Sequence, residues 1–187
     1  MATSESIALA FRAKGGDRGA WEELCRRYYP KWLGKYHGRL GARLRRLGDT
    51  QDLIQSAVAE ALEHIGTLRV EATFFAWVST IIRRKLADYV RRGMQAESVS
   101  LEEISEPPAW IPDLGTRVET ADDYVRLCDS ILELFEPYPE HMAMFSLRYF
   151  EDRTIGDLME IFEASERTVH RRLENAVLLL RSKAGLS

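Results

Sequence analysis

Six residues near the middle of the chain suit one kind of chemistry. Arg83, Arg84, Lys85, Arg91 and Arg92, with Tyr89 among them, share the stretch "FFAWVSTIIRRKLADYVRR". Cations at that density neutralise phosphates and release counterions, and an aromatic between them can stack on an unpaired base. A second group lies near the C-terminus, where Arg167, His170, Arg171, Arg172 and Glu174 fall within "ERTVHRRLEN". Arginine pairs bidentately with guanine or phosphate, glutamate accepts from cytosine, and the early turns of a docked helix are the ones that reach base edges.

Other chemistry finds no support. There is no glycine-rich phosphate loop, no metal-ligand cluster and no Ser/His/Asp arrangement, so no enzymatic role, metal or cofactor is expected. The four histidines (His37, His64, His141, His170) show no paired ligand spacing. Cys25 and Cys128 sit beside apolar helical positions and read as reduced, packed thiols.

The 187 residues are 45% apolar and 29% charged, enough for one domain or two small ones. A formal net charge of −3 conceals a strong asymmetry. Residues 1–92 carry 17 Lys/Arg against 10 Asp/Glu, residues 93–150 carry 3 against 12, and residues 151–187 carry 6 against 7. A basic block followed by an acidic one implies that the first part meets a polyanion and the middle does not. No apolar run is long enough to span a membrane and the N-terminus lacks a signal-peptide pattern, so no membrane insertion and a cytoplasmic location are expected.

The elements that must position these residues read as helices throughout. Asp17 N-caps a helix after Gly15 and Gly16, with Trp21, Leu24, Cys25 and Tyr28 on its inner face and Pro30 bending or interrupting it. "HGRLGARLRRLGD" follows, with Arg39, Arg43, Arg45 and Arg46 around Leu40, Leu44 and Leu47. Asp49 then caps the next helix, and Thr73 caps the basic one, whose Phe74, Trp77 and Ile81 belong to the core. Residues 93–121, with three of the six prolines and a net negative charge, read as a linker. Helices follow over Asp122–Phe135 and in "EHMAMFSLRYF". No period-two run or hairpin turn appears. The expected fold is all-α: two small helical domains, 1–92 and 122–187, joined by a flexible acidic linker.

Two helix starts close the sequence. Thr154 with Asp157 forms a capping box, and Ser165 with Thr168 repeats the offset. Leu158, Ile161 and Phe162 face Val169, Leu173, Ala176, Val177 and Leu180 across a tight turn, the pattern of a helix-turn-helix. An ordinary solvated helical hairpin is the alternative. Glu163 stands where such turns commonly hold glycine, so a positive φ there would cost about 1 kcal/mol.

The helix "DTQDLIQSAVAEALEHI" carries a further puzzle. Ile54, Val58, Ala61, Leu62 and Ile65 form a core stripe, whereas Asp52, Gln55, Ser56, Ala59 and Glu63 opposite are short or polar, without the Lys/Glu lacing of a merely solvated surface. Asp52 could alternatively complete a capping box with Asp49.

In the order "GGDRGAWEELCRRYY", "DLIQSAVAEAL", "FFAWVSTIIRRKLADYVRR", "LRYFEDRTIGDLMEIFEASERTVHRRLENA", the chain resembles bacterial sigma factors of the extracytoplasmic-function (ECF) group of the sigma-70 family. That resemblance implies a transcription initiation factor with no catalysis of its own. Asp52, Leu53, Gln55, Ser56 and Ala59 would dock on the clamp helices of core RNA polymerase. Arg83, Arg84, Lys85, Tyr89, Arg91 and Arg92 would engage the promoter −10 element, although family members often carry Asn where this chain has Arg84. Thr154, Ser165, Arg167, Thr168, His170, Arg171, Arg172 and Glu174 would serve the −35 element, the acidic linker would screen the basic surfaces or thread through polymerase channels, and an anti-sigma partner is usual for such proteins.

Two rival readings differ in class. A helix-turn-helix regulator that never touches polymerase would share the C-terminal hairpin, but has no need of the DLIQ face or the basic N-terminal block. A nucleic-acid enzyme would need a catalytic constellation that the sequence lacks.

Overall fold

The computed structural model describes residues 4–37, 50–97 and 121–184, and the described residues hold eight α-helices and no strand, as the all-α expectation requires. The helices are α1 (Ser4–Lys14), α2 (Arg18–His37), α3 (Thr50–His64), α4 (Phe74–Glu97), α5 (Ala121–Phe135), α6 (Pro139–Phe150), α7 (Ile155–Ile161) and α8 (Glu166–Ala184). The arginine-rich stretch around Leu40–Leu47, the Asp49 cap and linker residues 98–120 lie outside the described residues. No helix among the described residues is long and apolar enough to cross a membrane.

Nothing in the sequence analysis anticipates α1. Its buried side is made mainly of small groups, Ser6, Ala10 and Ala13 beside Leu9, which give a weak periodic signal but allow close approach to α2. Gly16 then takes φ 93°, a left-handed conformation that glycine adopts without penalty, and reverses the chain. Asp17 caps α2 as expected, accepting a hydrogen bond from the Ala20 amide at 3.0 Å. Pro30 does not interrupt α2, which runs helical through it, with the proline exposed.

The Thr73 cap expectation is not met. A 3-10 turn, Glu71–Thr73, leads into α4, and the Thr73 hydroxyl donates back to the Val70 carbonyl at 2.7 Å. At its far end α4 runs past the boundary read at Arg92, because Met94, Gln95, Ala96 and Glu97 continue the helix with ordinary helix formers.

One core runs through both halves of the chain. On the N-terminal side Trp32 stacks on Phe75 with centroids 5.9 Å apart, and its indole N–H donates to the Ser79 hydroxyl at 3.1 Å, so α2 and α4 are fixed by packing and by a satisfied buried donor. The most extensive helix pairing among the described residues is α4 against α5, and α4 also touches α6, where the buried Thr80 and Ser146 hydroxyls lie 3.3 Å apart. Phe74, Trp77 and Ile81 are core residues, as the sequence implied. Cys25 and Cys128 are free thiols, the first partly buried and the second fully so.

Candidate functional site

The polar face of α3 stands open. Asp52, Gln55, Ser56, Ala59 and Glu63 are all exposed, while Leu53 is half-buried against the core. The buried stripe needs correction: it comprises Ile54, Ala57, Ala61 and Ile65, with Val58 only partly buried against it, whereas Leu62 is 39% exposed. At about 100° per residue Leu62 lies some 80° from Ile54, towards Gln55 and Ala59, and the small Ala57 brings the α3 backbone close to its neighbours on the other edge. The outward face is thus small and polar with one leucine set into it. Asp49, with which Asp52 could form a capping box, lies outside the described residues.

The basic face of α4 departs most from expectation. Arg83 is not on a surface: it is 4% exposed, with its guanidinium 4.6 Å from the ring centre of Phe150 and 5.4 Å from that of Tyr36. Its Nη2 donates to the Phe150 carbonyl at 2.8 Å and to the Glu151 carboxylate at 2.6 Å, while Nε is buried without a hydrogen-bond partner among the described residues. Burial works against the charge, but Tyr36, Tyr124 and Glu151 around it outweigh that and push its pKa up. Lys35 of α2 pairs with the same Glu151 and donates to the Phe150 carbonyl at 2.8 Å. Arg83 therefore cannot reach a phosphate in this packing.

Its neighbours are engaged as well. Arg84 is hydrogen-bonded to Asp129 of α5, which is the main reason its pKa rises, and lies 3.8 Å from Asp88 and 4.0 Å from Glu60. Lys85 pairs with Glu60 of α3 at 2.7 Å. Arg91 meets Asp88 at 2.8 Å and Asp122 of α5 at 3.6 Å. Arg92 is exposed, with Nε donating to the Asp88 carbonyl at 3.3 Å, and Tyr89 is half-buried. Periodicity and motifs do not mark Asp129 and Glu151 as partners of these cations. Their signal is the acidic surplus of residues 93–150 and just beyond, part of which lies on α5 and faces the cations of α4.

The C-terminal pair follows its sequence closely. Thr154 accepts from the Asp157 amide at 3.1 Å and its own amide donates to the Asp157 carboxylate at 2.8 Å, a complete capping box that holds the Asp157 carboxyl below the usual range. Ser165 accepts from the Thr168 amide at 3.3 Å, and the two hydroxyls lie 2.9 Å apart at the start of α8. Between the helices Glu163 takes φ 47°, the left-handed conformation anticipated for the glycine-like position. Val169, Leu173, Ala176, Val177 and Leu180 are buried, as is Leu158 opposite, while Ile161 and Phe162 are only partly covered.

The outer face of α8 presents Arg167, His170, Arg171 and Glu174 together, all exposed. Glu166 lies 3.7 Å from His170. Arg172 points elsewhere and pairs with Glu140 of α6, so it braces the helix rather than belonging to that face. A groove of about 600 Å³ runs beside the face, lined by Arg148, His170, Glu174 and Arg181 among others. No cluster of three or more metal-ligating side chains occurs among the described residues.

The chain is similar to RNA polymerase sigma factor SigV of Bacillus subtilis (strain 168), at 27% identity over 133 residues, which cover 71% of this chain and 74% of that protein. Residues 6–184 match the family model of the ECF sigma factor, from α1 to the last turn of α8. The chain belongs to the ECF sigma factor family.

Proposed function

We propose that the chain docks on core RNA polymerase through the α3 face and selects promoters through two separate DNA-binding surfaces. Membership of the family makes it a transcription initiation factor. The observation that carries the finer reading is the exposed α3 face: Asp52, Gln55, Ser56 and Ala59 stay small and polar in a helix whose other side is core, and Leu62 adds one apolar anchor. Short side chains allow close helix-on-helix approach, and the carboxylate and amide direct it.

In this reading α4 engages the −10 element through Arg84, Lys85, Arg91 and Arg92, and α8 reads the −35 element through Arg167, His170, Arg171 and Glu174. Each surface is small. Affinity then comes from polymerase fixing both at once, because a second site held in place binds at high effective concentration. The capped starts of α7 and α8 orient the reading helix rigidly, which is the part that Thr154, Ser165 and Thr168 play.

Purified core polymerase and chain on genomic DNA, with start sites mapped, test the proposal. Discrete starts that depend on the chain support it. A chain that binds DNA but neither core enzyme nor any start site would be a regulator that acts without joining polymerase.

A further inference from the structure

We propose that His170 selects the base at one position of the upstream element by its protonation state: the protonated ring favours guanine over adenine and the neutral ring favours adenine over guanine, so that promoter choice shifts with pH. This deepens the functional reading above and rests on it.

The placement comes from the start of α8. Ser165 opens the helix and accepts from the Thr168 amide at 3.3 Å, which puts His170 in the second turn, among the turns that reach base edges when such a helix lies in a major groove. Arg167 lies three positions before His170 and Glu174 four after it, spacings that bring all three onto one face, and each is exposed. His170 thus stands in the middle of the face proposed to read bases.

Its surroundings carry both signs. Glu166 lies 3.7 Å from its Nε2, longer than a hydrogen bond, and Arg167, Arg171 and Glu174 stand around it on α8. In the groove beside it are Arg148 and Tyr149 of α6, Ile155 of α7 and Arg181 farther along α8. Arginine is never deprotonated in a protein, whereas histidine is the side chain whose charge ordinarily changes between pH 5 and 8.

The two ring states carry different hydrogen-bonding patterns. A protonated imidazole donates at both nitrogens and accepts at neither, while a neutral one donates at one and accepts at the other. In the major groove guanine offers two acceptors, N7 and O6, whereas adenine sets its N7 acceptor beside the N6 amine, a donor. The protonated ring therefore meets a matched edge on guanine, with a charge-assisted bond, and opposes donor to donor on adenine. The neutral ring accepts from the adenine amine and gives up the charge-assisted bond to guanine. An arginine at this place would read guanine at every pH, so the histidine is what makes the choice conditional.

The test uses holoenzyme assembled from core polymerase and the full chain, transcribing a promoter library randomised through the upstream element at pH 6 and at pH 8. The ratio of guanine to adenine at each upstream position is read from the transcribed templates, so the pH dependence of polymerase itself, which acts on all templates alike, cancels. In the intact chain that ratio should rise about fivefold or more at one position from pH 8 to pH 6, the size of a modest base contact. H170Q, whose amide donates and accepts at every pH, should hold the ratio within about twofold between the two conditions and favour adenine, and H170R should hold it equally flat and favour guanine. H141Q removes the other histidine of the C-terminal half and should keep the full response.

A ratio that stays within about twofold in the intact chain, a pH response that survives in H170Q, or one that is lost in H141Q overturns the proposal. An upstream preference indifferent to pH removes the role of His170 and leaves α8 as the reading helix, whereas a library with no upstream preference at either pH overturns both.

Discussion

Arg83 of α4 and Glu151, just after α6, meet 2.6 Å apart with 4% and 7% of their side chains exposed, an ion pair between residues from opposite halves of the chain. Removing one partner of a buried pair costs about 3–5 kcal/mol, because the other charge stays behind without solvent. Here Lys35 remains beside Glu151, which softens the loss. Arg83→Ala should lower unfolding free energy by roughly 3 kcal/mol, near the bottom of that range. Joint replacement by Arg83→Met and Glu151→Leu should recover only part of it, since apolar residues often match a buried pair but Lys35, 17% exposed, then loses Glu151. Denaturant titration of Arg83→Ala and of the double variant checks this, and a cost under about 1 kcal/mol for Arg83→Ala would mean the pair is not buried in solution.

The thiols set a second expectation. Burial pushes Cys128 up to about 12 and Cys25 up to about 11, against about 8.5 for a free thiol. Both therefore stay neutral in the folded chain at pH 8 and should react slowly with a thiol-disulfide reagent there, but at once in urea. A folded pKa above the unfolded value means that the stabilisation is complete below about pH 8.5 and is lost as pH rises towards the folded values. The denaturation midpoint should fall between about pH 9 and 11. Cys128→Ala should flatten that decline, and an identical slope in both proteins would remove the thiol as its source.

Glu163 ties a sequence expectation to a measurable energy. Its φ of 47° is the conformation that costs a side chain about 1 kcal/mol and glycine almost nothing. Glu163→Gly should raise stability by up to about 1 kcal/mol without altering the α7–α8 angle. Loss of stability in that variant, read by thermal unfolding, would show that Glu163 makes a compensating contact.

The turn was legible because its constraint is local: four residues between two capped helices leave few backbone solutions, and Glu163 had to take one of them. The same holds for the Thr154–Asp157 box and for the Asp17 cap. Leu62 and Arg83 were not legible, because periodicity fixes the angle of a side chain about its own helix and not what stands opposite. Leu62 belonged to the apolar arc of α3 but fell at an edge that no neighbour covers. Arg83 belonged to a basic tail that reads as surface, until α5 and α6 bring Glu151 and Phe150 over it. α1 escaped notice because alanines and a serine do the packing.

The proposed docking face can be probed without disturbing the fold. Gln55 is exposed and Leu62 lies 39% exposed at the rim of α3, so replacing them removes little core packing. Gln55→Ala and Leu62→Asp should each leave the thermal midpoint within about 2 °C of the parent, as surface changes of roughly 0.5 kcal/mol or less do. Both should weaken core polymerase binding, Leu62→Asp about tenfold or more, since it places a charge in the centre of a desolvated contact. Unchanged core affinity in both variants would move the docking surface off α3.

Adjacent arginines on α8 should behave in opposite ways. Arg171 is exposed on the outer face with Arg167 and His170, whereas Arg172 turns inward to Glu140 of α6. Loss of a side chain that reads a base costs about 1–3 kcal/mol of discrimination at that position, and loss of one that braces a helix changes stability and general affinity but not preference. Arg171→Ala should therefore relax the choice of upstream element while leaving the unfolding midpoint alone. Arg172→Ala should lower the midpoint and weaken use of all promoters alike. Parallel transcription from a library of upstream elements separates the two, and a shifted preference in Arg172→Ala with none in Arg171→Ala would reverse the assignment of the reading face.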